Sequence, residues 1–177
     1  QQQVKAKVGC QLVASHVGPH VSVLSGGEAH LSHPTQGLLD ALTVRQRKGR
    51  FDNLSVAIVG DVRHSRVARS AYQVFRTLGV PDLSIVAPAA FMPEAEEFSG
   101  CTRNASLRTG LKDVDVVMML RVQSERFEGE ACRFPNTREL SRTFGLSERT
   151  LGYAKKDAIV MHPGPMNRGV EISPQVA

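Results

Sequence analysis

Three times in the C-terminal two-thirds of the chain, an apolar run ends in a polar turn that carries an arginine. Ala57-Ile58-Val59 leads into Gly60-Asp61 and Arg66, and Val116-Val117-Met118-Met119-Leu120 leads into Arg121 and Gln123. Ala158-Ile159-Val160-Met161 leads into His162-Pro163-Gly164-Pro165 and Arg168. Runs this short and uniformly apolar read as strands buried on both faces, the pattern of a parallel sheet. Parallel strands share one carboxyl edge, and doubly wound α/β folds bind ligands along it. The spacing therefore predicts that Arg66, Arg121 and Arg168 converge on one crevice. Guanidinium groups fork onto carboxylate and phosphate oxygens, so such a crevice suits a small anion with more than one acidic group.

The remaining pattern predicts helices between the strands. Val21 to Leu24 is a short strand candidate stopped by Ser25-Gly26-Gly27. Pro34 suits the first turn of a helix running to about Arg47, with Leu38, Leu39, Leu42 and Val44 expected to face inward. Further strands are expected at Leu54 to Val59, Leu83 to Val86, Asp113 to Leu120 and Ala158 to Met161. Helices are expected at Ser65 to Leu78, Glu94 to Phe98, Leu140 to Phe144 and Glu148 to Ala154. This alternation predicts an α/β fold, a doubly wound open parallel sheet with helices on both faces.

Composition removes several function classes. The net charge is +5, but Lys and Arg are scattered, aromatics are 5% and no recognition motif occurs, which argues against a nucleic-acid partner. Cys10, Cys101 and Cys132 are odd in number, widely spaced and without a metal-ligand pattern, so reduced thiols and no metal are expected. No apolar stretch approaches the ~20 residues that span a bilayer. The expectation is a soluble cytoplasmic protein with no membrane partner.

Each polar cluster has a bland reading beside a chemical one. His33 precedes a helix, where it either caps the helix or, as a neutral imidazole, donates to a carbonyl oxygen; Gln36 lies one turn on. Arg66 and Arg69 open a helix whose N-terminus is already positive, a conflict that a bound anion offsets and a solvated face also tolerates. In an extended segment Arg121 and Gln123 share a side and could hold one ligand, although Arg121 could instead pair with Glu125. Two prolines around Gly164 fix a rigid turn whose carbonyls are free to accept from an amine or amide. The Gly60-Asp61 turn lacks the full glycine fingerprint of a dinucleotide loop, so a nicotinamide cofactor is a residual alternative only.

Four blocks carry a resemblance. HPTQGLLD from His33, VGDVRHSRVARS from Val59, MLRVQSERF from Met119 and MHPGPMNRGVEI from Met161 resemble, in order, the aspartate carbamoyltransferases of the bacterial type. Ornithine-using relatives typically carry H-C-L-P in the last block, where this chain has Pro163. The resemblance implies transfer of the carbamoyl group of carbamoyl phosphate to the amine of L-aspartate, in pyrimidine synthesis, with no cofactor. His33 matches the histidine at the carbamoyl carbonyl oxygen, Gln36 the glutamine at the carbamoyl amino group, and Gly164 and Pro165 the loop carbonyls. Arg66 and Arg121, with Gln123, match the residues that hold aspartate; Arg168 is an addition from the strand pattern.

The resemblance also implies a homotrimer, with a dihydroorotase-like or regulatory partner in some members. It divides the chain into the end of a carbamoyl-phosphate domain (1–32), a linking helix (33–50) and an aspartate-binding domain (51–177). The family's S-T-R-T-R phosphate loop does not occur in these 177 residues. The expectation is a truncated enzyme, with a non-catalytic aspartate-binding or assembly module of the same fold as the alternative.

Overall fold

Five parallel strands form the sheet, in the spatial order β3-β2-β1-β4-β5. They are β1 (Ser55–Val59), β2 (Asp82–Val86), β3 (Thr102–Asn104), β4 (Val116–Met119) and β5 (Ile159–Met161). The computed structural model describes residues 9–27, 31–122 and 137–177. The helices are α1 (Gly9–His16), α2 (Pro34–Lys48), α3 (Arg66–Thr77), α4 (Leu107–Gly110), α5 (Thr137–Phe144) and α6 (Glu148–Leu151), with short 3-10 turns at Ala89–Phe91 and Ala95–Phe98. This is the α/β architecture that the sequence predicts.

Val56 to Val59 and Val116 to Met119 are buried without interruption, because strands covered on both faces cannot alternate apolar with polar residues. Asp115 ties the amino ends of these strands together. Its carboxylate accepts from the Ser55 backbone N–H at 2.9 Å and from Lys155 Nζ at 2.9 Å. Helix α2 packs on α3, and Gly37 permits the approach: a methyl there would lie 3.2 Å from the Ser70 carbonyl and 3.1 Å from a Val74 methyl.

Several expectations need correction. Val21 to Leu24 is irregular, with Val21 and Leu24 exposed: the segment pairs with no strand of the sheet, and its apolar side chains are left outside the core. In α2, Val44 is buried as expected, but Leu38, Leu39 and Leu42 are 65%, 54% and 52% exposed. Helix α2 uses the Gly37, Asp40, Ala41 and Val44 side against the core, and the leucine face points outward. The sequence pattern does not predict strand β3 or helix α4. Thr102–Asn104 has no apolar run because it is an edge strand, and α4 is a single turn begun by the Ser106 cap.

At the end of β1 the chain must turn sharply beside β4. Gly60 adopts φ +118°, and a Cβ there would lie 3.2 Å from the Leu120 carbonyl oxygen. Gly60→Ala is expected to destabilise the fold by about 1–3 kcal/mol, through left-handed strain and this close approach. Urea unfolding with an unchanged denaturant slope is the check.

Candidate functional site

The strand order reverses between β1 and β4, and a cleft of about 130 Å³ opens beyond their carboxyl ends. Four segments converge on it: His33 and Gln36 from the start of α2, Ser65 to Val67 from the start of α3, Leu120 and Arg121 after β4, and Pro163 and Gly164 after β5. That is where an open parallel sheet places its ligand crevice.

His33 is both cap and lining residue, through different ring nitrogens. Its Nδ1 accepts the Gln36 backbone N–H at 3.3 Å, with Thr35 Oγ1 3.2 Å away. In the neutral ring the proton is therefore on Nε2, which can donate to a carbonyl oxygen. The His33 backbone N–H donates to Ser70 Oγ at 2.8 Å, fixing the α2 start against α3. Burial, and after it the Arg66 guanidinium, hold the imidazole below its ordinary 6.5, which keeps it neutral.

Arg66 and Arg69 separate cleanly. Ser65 caps α3 by accepting the Ala68 N–H at 3.1 Å, and Arg66 leaves the first turn to line the cleft. Gly27, at φ +130°, backs its guanidinium so closely that an added methyl would lie 3.0 Å from Arg66 Cζ. Arg69 is structural: it pairs with Glu97 and donates to the Arg63 carbonyl at 3.0 Å. Arg168 is exposed and outside the cleft lining, so the expected triple convergence reduces to Arg66 and Arg121. Arg66 is aimed by the helix it opens, whereas Arg168 lies in a tight return after β5, where its backbone bridges Ile172 and the Gly169 N–H donates to the Ile172 carbonyl at 2.7 Å. Pro165 is likewise exposed and outside the lining, beyond Gly164. Gln123, with Glu125, Arg126 and Cys132, lies outside the described residues.

Sequence reasoning missed the residues that hold this frame. His162 Nδ1 accepts the Gly164 N–H at 2.8 Å, so its Nε2 carries the proton and donates to Glu171 Oε1 at 3.2 Å. The same carboxylate oxygen accepts the Asn167 N–H at 2.6 Å, while Asn167 Nδ2 donates to the Val122 carbonyl at 3.1 Å. The turn after β5 is thus fastened to the chain leaving β4. Asp40 is buried at 4% exposure and accepts from Gln36 Nε2 at 2.9 Å, and burial raises its pKa from 3.8 to about 6. The i, i+4 spacing of Gln36 and Asp40 is a readable signal for this pair. Among the described residues, no group of three or more His, Cys, Asp or Glu is placed to hold a metal, and no helix is long and apolar enough to cross a membrane.

The family model for the Asp/Orn binding domain of aspartate/ornithine carbamoyltransferases matches residues 52–177. Aspartate transcarbamoylase from Trypanosoma cruzi, solved with carbamoyl aspartate and phosphate, is similar at 26% identity and a TM-score of 0.74, over 85% of this chain and 50% of that one. Ornithine carbamoyltransferase from Pyrococcus furiosus is similar at 27% identity and a TM-score of 0.69, over 83% of this chain and 49% of that one. Ornithine carbamoyltransferase from Thermus thermophilus, at 20% identity and a TM-score of 0.75, covers 94% of this chain and 53% of its own and shares the fold. The fold is thus that of the carbamoyltransferase class. The chain belongs to the aspartate/ornithine carbamoyltransferase family, and it spans about half the length of these solved relatives.

Two titrations follow with opposite signs. His33 binds its proton less readily when folded, so its contribution to stability is complete above pH 6.5 and is lost as pH falls through the depressed value. NMR titration should give a midpoint below 6.5, and Arg66→Ala should move it upward. Asp40 binds its proton more tightly when folded, so stability falls as pH rises from 3.8 to about 6. Asp40→Asn should remove that fall, raising stability near neutral pH by on the order of 2 kcal/mol in urea unfolding.

Proposed function

We propose that this chain is the aspartate-binding part of an aspartate carbamoyltransferase, which converts carbamoyl phosphate and L-aspartate to N-carbamoyl-L-aspartate and phosphate in pyrimidine synthesis. The observation that carries this reading is the charge of the cleft. Arg66 and Arg121 line it beside a neutral His33, and no carboxylate lines it among the described residues. Such a cleft attracts a dicarboxylate amino acid and repels the side-chain ammonium of ornithine. The T. cruzi enzyme, solved with aspartate and phosphate and with N-(phosphonacetyl)-L-aspartic acid, supports the aspartate choice by similarity.

In this reading Arg66 and Arg121, with Gln123, hold the two carboxylates of aspartate. His33 Nε2–H donates to the carbamoyl carbonyl oxygen, where negative charge grows as the bond forms. Gln36 and the carbonyls of Gly164 and Pro165 accept from the amino groups. The neutral amine attacks the carbamoyl carbon, the C–N bond forms, the C–O bond to phosphate breaks and the amine proton leaves with the phosphate. No side chain acts as nucleophile; orientation and oxyanion stabilisation supply the acceleration.

The domain division at residues 33–50 is part of the same proposal. The outward Leu38, Leu39 and Leu42 face of α2 would pack on a carbamoyl-phosphate domain that supplies the phosphate ligands. A cytoplasmic homotrimer, with a dihydroorotase-like or regulatory partner, follows the family pattern.

Calorimetry on this chain tests the reading. L-aspartate is expected to bind and L-ornithine to give no heat. Arg121→Ala should weaken aspartate at least tenfold, the loss of a charge-assisted pair, with unfolding unchanged. Ornithine binding, or an Arg121→Ala variant that binds aspartate like the wild type, would sink the assignment.

A further inference from the structure

We infer that Asp40 is a positioning residue that fixes which way the Gln36 amide faces, and so makes the cleft select an NH2 group on the ligand's carbonyl carbon. The inference rests on the aspartate reading of the cleft. Asp40 is joined to the cleft lining through Gln36, whose Nε2 donates to Asp40 Oδ1 at 2.9 Å from four residues back on α2. An ionised carboxylate only accepts, so the amide nitrogen must face Asp40 and the amide oxygen must face away from it. Gln36 lines the cleft, and its Oε1 becomes the acceptor offered there.

The second carboxylate oxygen, Oδ2, is buried without a hydrogen-bond partner among the described residues. A buried carboxyl with one unsatisfied oxygen weakens a fold, and an apolar residue or asparagine would serve the packing of α2 on α3 better. What the carboxylate supplies, and those residues cannot, is one-way acceptance from Gln36. With asparagine at 40 the partner both donates and accepts, and the Gln36 amide is free to turn its NH2 into the cleft. An NH2 there would meet the ligand's NH2 donor to donor.

The test uses a matched pair, N-carbamoyl-L-aspartate and N-acetyl-L-aspartate, which differ by NH2 against CH3 on the same carbonyl carbon. Calorimetry on the wild-type chain should show about a tenfold preference for the carbamoyl compound, the worth of one buried hydrogen bond. Asp40→Asn should reduce that preference to about twofold while the fold is retained. The double variant Gln36→Glu with Asp40→Asn should restore it, because the carboxylate introduced at position 36 then accepts from the amide at position 40 and presents its other oxygen to the cleft. A merely structural Asp40 would change both affinities together and leave their ratio intact. An unchanged ratio in Asp40→Asn, or no preference in the wild type while both compounds bind, overturns the inference and leaves the aspartate reading standing. Binding of neither compound to the wild type overturns both.

Discussion

Because β1 hydrogen-bonds to β2 on one side and to β4 on the other, the chain leaving β1 and the chain leaving β4 must travel apart, and the gap between them is the cleft. The Leu120 N–H donates to the Val59 carbonyl at 2.8 Å, so the ladder continues to the residue before Arg121. Gly60 then turns away at a φ that a side chain would not tolerate. Arg66 and Arg121 reach one space because the sheet register brings their departure points together. The buried strands set the site's dimensions before any polar residue contributes.

Electrostatics completes what the register begins. The N-termini of α2 and α3 both open at the cleft, and each adds positive potential to that of the two arginines. A protonated histidine in that field would be unfavourable, and His33 is held neutral by burial first and Arg66 second. Neutrality has a chemical consequence. One ring nitrogen can cap α2 while the other keeps a proton for a carbonyl oxygen, a division of labour that an imidazolium, a donor at both nitrogens, could not perform. The buried His162 and Glu171 pair does similar work for the turn after β5, because each of its hydrogen bonds fixes the backbone that bears Gly164.

The parts of this arrangement that were legible in the sequence are those set by local periodicity. Apolar runs mark four of the five strands, Pro34 and Gly79 mark helix ends, and the residues following β1, β4 and β5 are those around the cleft. What escaped depends on tertiary environment. Asp40 reads as an ordinary polar helix position until the fold buries it, and His162 reads as one more turn residue until Glu171 returns beneath it. Arg168 stays out of the cleft because the turn after β5 folds back on Ile172, a tertiary pairing that strand spacing does not encode. Val21 to Leu24 shows the same limit from the other direction: β-branched residues make a strand only where tertiary context pairs them with a neighbour, and this segment joins no strand.

The leucines of α2 are the most instructive failure. Periodicity correctly identified an apolar stripe at Leu38, Leu39 and Leu42, and erred only in assigning it to this sheet's core. Helix α2 has two apolar sides. One, through Ala41 and Val44, is buried here with Asp40, and the other faces out at more than half exposure. His33 and Gln36 sit at the start of that helix, so whatever covers the leucines also sets how far the first wall of the cleft can move relative to Arg66 and Arg121. In the proposed enzyme the helix would thus be a mechanical link: packing on its outer side would determine the distance between carbamoyl and aspartate contacts, and a shift of about 1 Å there is large on the scale of a near-attack geometry.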